Sequence, residues 1–167
     1  KGNNLEAARL FGVAGQWDKA AELYVKSGYP LRAAEAFEKM GQFAKAAEAH
    51  EKHFAENVSF STTYSATAPS ADHKSAAHAG RLFEKAQQLD RAHQAYYRGG
   101  YFKEAGAVLE KMGQFKKAGE TYMRAKDPEA AARAYELGGD VVNSSLLRGE
   151  VAFKADRRAE APLAANA

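Results

Sequence analysis

The chain has 167 residues, 46% of them hydrophobic and 27% charged, with a formal net charge of +3. That length suits one compact domain or one short solenoid, and the mixed charge argues against long disorder outside the polar segments. Without a cysteine there is no disulfide framework, no cysteine zinc site and no thiol nucleophile; residues 1–56 hold eight basic and eight acidic side chains and residues 79–140 eleven and nine, so no block of one sign points to a polyanion.

Read from the start, a small-residue doublet recurs every 13 residues: Ala7-Ala8, Ala20-Ala21, Ala33-Ala34 and Ala46-Ala47, then Ala79-Gly80, Ala92-His93, Ala105-Gly106, Ala118-Gly119, Ala131-Ala132 and Ser144-Ser145. A fixed short period marks a stacked repeat architecture. In the unit that begins at Trp17, the residues Trp17, Ala20, Ala21 and Tyr24 fall at i, i+3, i+4 and i+7, one face of an α-helix, while Lys19, Glu22 and Lys26 face away. Gly28 then closes the helix, and the same glycine recurs at Gly15, Gly41, Gly100, Gly113 and Gly139. Four positions after the first alanine stands a large residue: Phe11, Tyr24, Phe37, Phe83, Tyr96, Leu109, Tyr122 and Tyr135. Pro30 and Pro128 sit just inside helix starts, where a missing N–H is harmless, and Asp127 is placed to cap the second of them. Each unit is therefore a helix of about 10 residues and a short turn, too short to be stable alone.

The step from Ala46 to Ala79 breaks the beat with seven extra residues. The excess falls in residues 57–73, NVSFSTTYSATAPSADH, a Ser/Thr-rich excursion punctuated by Pro69 and flanked by longer helices over about 44–57 and 70–87. The repeat keeps its character across it: residues 38–50 read EKMGQFAKAAEAH and residues 110–122 EKMGQFKKAGETY. Past Ser144-Ser145, Arg148 stands where an aromatic is expected, as in a terminal unit whose outer face meets water. The expected organisation is one α-solenoid domain over 1–156, with repeats at 5–57 and 70–150, an inserted loop at 58–69 and a flexible tail at 157–167. Because the chain starts at Lys1, it reads as part of a larger protein.

The A-A-x-x-[FY]-x-x-x-G run resembles the second half of a tetratricopeptide repeat, and phrases such as Ala20–Gly28, AAELYVKSG, are similar to the short helical repeats of intraflagellar-transport, coatomer and clathrin-type proteins. The likeness spans about residues 5–150. It departs from the standard motif in a helix-pair period of 26 rather than 34 and in lacking the W-x₂-L-G-x₂-Y signature. The fold expected is all-α, a right-handed α-α superhelix of tetratricopeptide-like kind, built of about ten short antiparallel helices. What the resemblance implies for function is a scaffold for protein–protein contacts.

No catalytic set emerges: the glycines come singly at helix ends or as turn doublets, and glutamates such as Glu22, Glu35, Glu38 and Glu48 read as salt-bridging solvent faces. His50 and His53 share a helical face, but zinc wants three or four ligands and His50 occupies an aromatic slot, so packing is the preferred reading and no metal or cofactor is assigned. The aromatic slots, with Lys116, Lys117, Arg124 and Lys126 nearby, leave a basic nucleic-acid-binding repeat as the disfavoured alternative. Phe60 and Tyr64 in the Ser/Thr-rich loop, and Arg81, Arg91 and Lys103 on repeat faces, are the candidate partner-binding residues. The reading is a non-enzymatic, cytoplasmic module that binds a protein or peptide of unassigned identity and does not insert into a membrane.

Overall fold

The computed structural model describes residues 2–57 and 71–164. Among them there are ten helices and no strand: α1 (Gly2–Val13), α2 (Trp17–Ser27), α3 (Pro30–Lys39), α4 (Phe43–Asn57), α5 (Ala71–Lys85), α6 (Leu89–Arg98), α7 (Phe102–Lys111), α8 (Phe115–Arg124), α9 (Pro128–Leu137) and α10 (Val141–Ala164). The fold class is therefore all-α, with the expected period. The backbone forms two compact units, residues 1–101 with α1–α6 and residues 102–167 with α7–α10, both inside or overlapping the span read from sequence as one domain. In each unit every helix packs on its chain neighbours. Connections of two or three residues between mutually packed helices make neighbours antiparallel.

The 13-residue period has a backbone cause. The residue after each turn's left-handed position donates back to the carbonyl five residues earlier: Gln16 to Phe11, Gln42 to Phe37 and Gln114 to Leu109, each at 2.9 Å, and Asp140 to Tyr135 at 2.8 Å. This Schellman closure satisfies carbonyls that the helix end would orphan. The same residue's carbonyl then accepts the first bond of the next helix, as Gln16 does from Ala20 (3.1 Å) and Gln114 from Ala118 (2.9 Å). One helix's stop is thus the next helix's start. Gly28 and Gly113 hold the left-handed position with φ of 78° and 70°, whereas Gln87 and Lys126 adopt it without a glycine.

Packing follows the doublets. In α2, Ala20 and Ala21 are fully buried and Tyr24 is 8% exposed. Where the second doublet residue is glycine, the ring of the following helix stands directly on it. A Cβ added at Gly80 would lie 2.7 Å from the Tyr96 ring, one at Gly106 2.8 Å from Tyr122, and one at Gly119 2.7 Å from Tyr135. The core of the first unit gathers Ala8, Ala20, Tyr24 and Ala33 with Leu5, Phe11, Leu23 and Phe37 packed against them. That of the second gathers Leu109, Ala118, Tyr122, Ala131, Tyr135 and Leu147. Asp127 caps α9 as expected, accepting from the Ala130 N–H at 3.1 Å.

Two expectations meet a different structure, and a third is untested. α10 stays helical through Ala164, across residues expected to form a tail from 157. Its outer face is not polar: Val142, Leu146 and Phe153 are 70%, 63% and 62% exposed, one stripe at helical spacing. The inserted loop at 58–69 lies outside the described residues.

Candidate functional site

The repeat contains a polar latch. A glutamate one position past the large slot residue meets the slot residue of the next helix, twelve positions on. The Tyr96 hydroxyl donates to Glu84 at 2.8 Å, and Arg148 pairs with Glu136. Arg148 thus replaces an aromatic ring while keeping its acidic partner.

Glu38 begins the same latch at the end of α3, but its partner is His50, the ring in α4's slot. His50 Nε2 lies 3.8 Å from Glu38 Oε1. A second imidazole arrives from α5, with His78 Nε2 at 3.2 Å from the same oxygen and the two rings 4.5 Å apart, tilted by 43°. The ligand-capable atoms of Glu38, His50 and His78 all lie within 4.8 Å of one another. His50 is the most enclosed, its side chain 13% exposed against 32% for Glu38 and 43% for His78. Its burial, reinforced by His78 and partly opposed by Glu38, lowers its pKa to about 4, so it is neutral at pH 7. Its Nδ1 is buried without a partner.

The neighbouring histidines are engaged differently. His53 Nδ1 lies 3.1 Å from Ser75 Oγ, joining α4 to α5, and His73 Nδ1 lies 3.1 Å from the Gly99 carbonyl with its ring edge-on to Phe54. Ser75 is 7% exposed, and no carboxylate orients His53 among the contacts of the described residues, so the pair is an interhelical bond rather than a nucleophile and its base. His50 and His53, paired on one helical face from sequence, are thus separated by function. Glu38 is not the lysine-paired surface glutamate expected.

This cluster was readable from the near-identity of residues 38–50 and 110–122. Both begin with the latch glutamate, Glu38 or Glu110, and they end on different rings, His50 and Tyr122. What the sequence could not supply was the arrival of His78, because the interrupted step between Ala46 and Ala79 leaves open how α5 faces α3 and α4.

The candidate partner-binding residues are dispersed. Phe60 and Tyr64 lie outside the described residues. Arg81 is exposed on α5. Arg91 is a fastener: it donates to Glu48 at 2.8 Å and Glu51 at 3.2 Å, and its guanidinium lies 4.1 Å over the Phe83 ring. The Glu48 hydrogen bond heads the causes that raise its pKa. Lys103 lies 2.8 Å from Asp127. That contact, with the Ala130 N–H, holds the Asp127 carboxyl below the usual carboxylate range. Arg91 and Lys103 are thus each tied to acidic groups within their own unit.

Sequence reasoning passed over a groove of about 620 Å³ on α1–α3. Leu5 and Val13 of α1, Trp17 and Tyr24 of α2, and Tyr29 and Arg32 beside and on α3 line it. Val13 is 89% and Tyr29 44% exposed. The only tryptophan of the chain, at the first position of a repeat helix, was the available signal. Most slot aromatics, by contrast, are sealed: Phe83, Tyr96, Tyr122 and Tyr135 are at most 8% exposed and present no face for base stacking.

No family model matches the chain, and no curated protein is significantly similar to it. Solved structures that resemble it include three described as MamA. "MamA AMB-1 P212121" is 18% identical with a TM-score of 0.49, covering 97% of this chain and 94% of that one. "MamA AMB-1 C2221" is 18% identical, TM-score 0.45, over 88% and 94%. "MamA MSR-1 C2" is 17% identical, TM-score 0.45, over 93% and 96%. At these values the likeness carries no functional inference. None of the three is named as an intraflagellar-transport, coatomer or clathrin-type protein, so that finer resemblance gains no support. What the described residues show by themselves is the all-α class: ten short helices with a 13-residue period, packed on their chain neighbours within each unit. None of the described helices is long and apolar enough to cross a membrane.

Proposed function

We propose that the chain is a non-enzymatic scaffold whose helical repeats bind a protein or peptide partner. The observation that supports this reading is the groove on α1–α3. It is an open channel rather than an enclosed pocket, its apolar floor has arginines at its margins, and two successive odd-numbered helices form its walls. Such a surface suits an extended or helical segment contacted at several points. Arg9 and Arg32 are held by Glu6 at 3.5 Å and Glu35 at 3.1 Å, so the rim carries both signs. A cytoplasmic setting belongs to the same reading, since a thiol-free chain needs no oxidising compartment to fold. Arg81, Phe60 and Tyr64 stay in the proposal as partner-binding residues on the strength of the sequence alone.

Selection of a random peptide library on the immobilised protein tests the proposal. Enriched peptides are expected to bind the wild-type chain and to lose at least about tenfold in affinity to Val13→Glu or Tyr29→Ala, the loss of an aromatic anchor at an interface. Titration with single-stranded RNA at two salt concentrations is the competing arm. Tight binding with a steep salt slope, and no peptide sensitive to the groove variants, would replace this reading by nucleic-acid recognition through the exposed Lys116, Lys117 and Lys126.

A further inference from the structure

We infer that Glu38, His50 and His78 form a binding site for a divalent transition-metal ion of the zinc class, clamping α3, α4 and α5 together. The argument begins from the repeat. Elsewhere the latch joins one carboxylate to one hydroxyl or one guanidinium, as in Glu84–Tyr96 and Glu136–Arg148. None of these pairs offers a second nitrogen ligand. At this one latch the slot holds an imidazole, and α5 adds another aimed at the same carboxylate oxygen.

Geometry supports coordination. Ligand atoms about 2.0–2.2 Å from a tetrahedral ion stand about 3.4 Å apart. The two measured nitrogen–oxygen separations, 3.2 and 3.8 Å, bracket that value, and the whole set lies within 4.8 Å. Small rotations of the partly exposed Glu38 and His78 side chains close the remaining difference. Two imidazoles and one carboxylate are a borderline donor set, suited to zinc, cobalt, nickel or copper and too nitrogen-rich for magnesium or calcium. With Glu38 and His78 open to solvent, an ion can enter and keep water in its remaining position.

The clamp lies on both sides of the one break in the repeat. Glu38 and His50 precede residues 58–70 and His78 follows them, so binding would tie the two sides of that excursion by three points.

The test uses the tag-free 167-residue chain, treated with chelator and then titrated with ZnCl₂ and, separately, CoCl₂. One equivalent of each is expected to bind, with Co²⁺ developing the intense visible bands of tetrahedral coordination and Zn²⁺ raising the thermal midpoint. His78→Ala and Glu38→Gln are each expected to weaken binding by at least about tenfold, and His50→Tyr, which installs the ring the other repeats use, to abolish it. His53→Ala and His73→Ala should bind as wild type does. Circular dichroism reports whether each variant folds; if His50→Tyr unfolds, the partly exposed Glu38 and His78 variants decide alone. No saturable binding at one equivalent, unchanged affinity in His78→Ala and Glu38→Gln, or equal competition by MgCl₂ would overturn the assignment.

Discussion

The α3–α5 junction and the α7–α9 repeats solve the same packing problem with different chemistry. In α7–α9, Tyr122 and Tyr135 rest on Gly106 and Gly119 and are nearly sealed in their slots. At the junction the His50 ring stands 3.8 Å from its glutamate, against 2.8 Å between Tyr96 and Glu84, leaves Nδ1 unpaired, and has the His78 ring laid against it. The tyrosine slots hold sealed rings, whereas the histidine slot sets two imidazoles beside one carboxylate. Both imidazoles occupy ordinary repeat positions, His50 the large slot and His78 the place just before the Ala79-Gly80 doublet, so the difference lies in residue choice rather than in extra helix length.

The first way to break the comparison is to empty the junction's apolar support. Phe83 is fully buried beneath the Arg91 guanidinium. Phe83→Ala should cost about 3–5 kcal/mol, read by urea unfolding, and should release Arg91 from its fixed geometry between Glu48 and Glu51. A loss under about 1 kcal/mol would mean that the junction is not held by its core.

Acid sharpens the comparison next. His50 has a folded pKa of about 4 and an ordinary value of 6.5. Between those values the unfolded chain takes up a proton that the folded chain refuses. The stability His50 contributes is therefore fully present above pH 6.5 and is lost as pH falls toward 4, by at most about 3 kcal/mol. All five histidines lie in the first unit, at positions 50, 53, 73, 78 and 93. Denaturant unfolding in chelator from pH 7.5 to 5 should accordingly show a slope in the wild type that His50→Tyr flattens. Residues 102–167 produced alone, provided that they fold, should show none over the same window. An equal slope in His50→Tyr would place the sensitivity elsewhere.

Glycine sockets give a smaller effect of opposite origin. Alanine is the better helix former by about 1 kcal/mol, yet a Cβ at Gly106 would sit 2.8 Å from the buried Tyr122 ring. Overpacking of that kind costs about 1–3 kcal/mol, so Gly106→Ala should destabilise on balance. Gly149, helical with nothing within 4 Å of its missing Cβ, should instead gain about 0.5–1 kcal/mol on the same change. If both variants move together in thermal melts, the sockets are not shaped by their rings.

These sockets also mark how far the sequence could be read. The period, the helix positions, the Asp127 cap and the glycine turns follow from local chemistry, since each is determined within one or two units. That Gly106 differs from Ala47 because a tyrosine stands on it was hidden, as the partner lies sixteen residues on. Arg91 and Lys103 looked like free surface charges because their acidic partners come from elsewhere in each unit, at Glu48 and Glu51 or at Asp127. Of the Glu38–His50–His78 cluster, the Glu38–His50 half was legible in the repeat, and the arrival of His78 from beyond the break was not. The α1–α3 groove depends on how three helices splay, which no residue pattern encodes directly.

The subtlest difference between units lies in their turns. Gly113 and Gly139 occupy the left-handed position at φ of 70° and 76°, but one period from each, Lys126 holds it at 56°. A side chain there meets its own carbonyl, at about 1–2 kcal/mol. Lys126→Gly removes that strain but gives the unfolded chain more freedom, worth about 0.4–1 kcal/mol in the other direction. The net expectation is a gain of about 0.5–1 kcal/mol, with the Asp127-to-Tyr122 closure at 3.0 Å retained. Gln87→Gly, at φ of 59° in the turn after α5, should behave alike. A gain in one turn and a loss in the other would show that the two units set their turns by different contacts, and that a lysine at position 126 stays for what it does outside the fold.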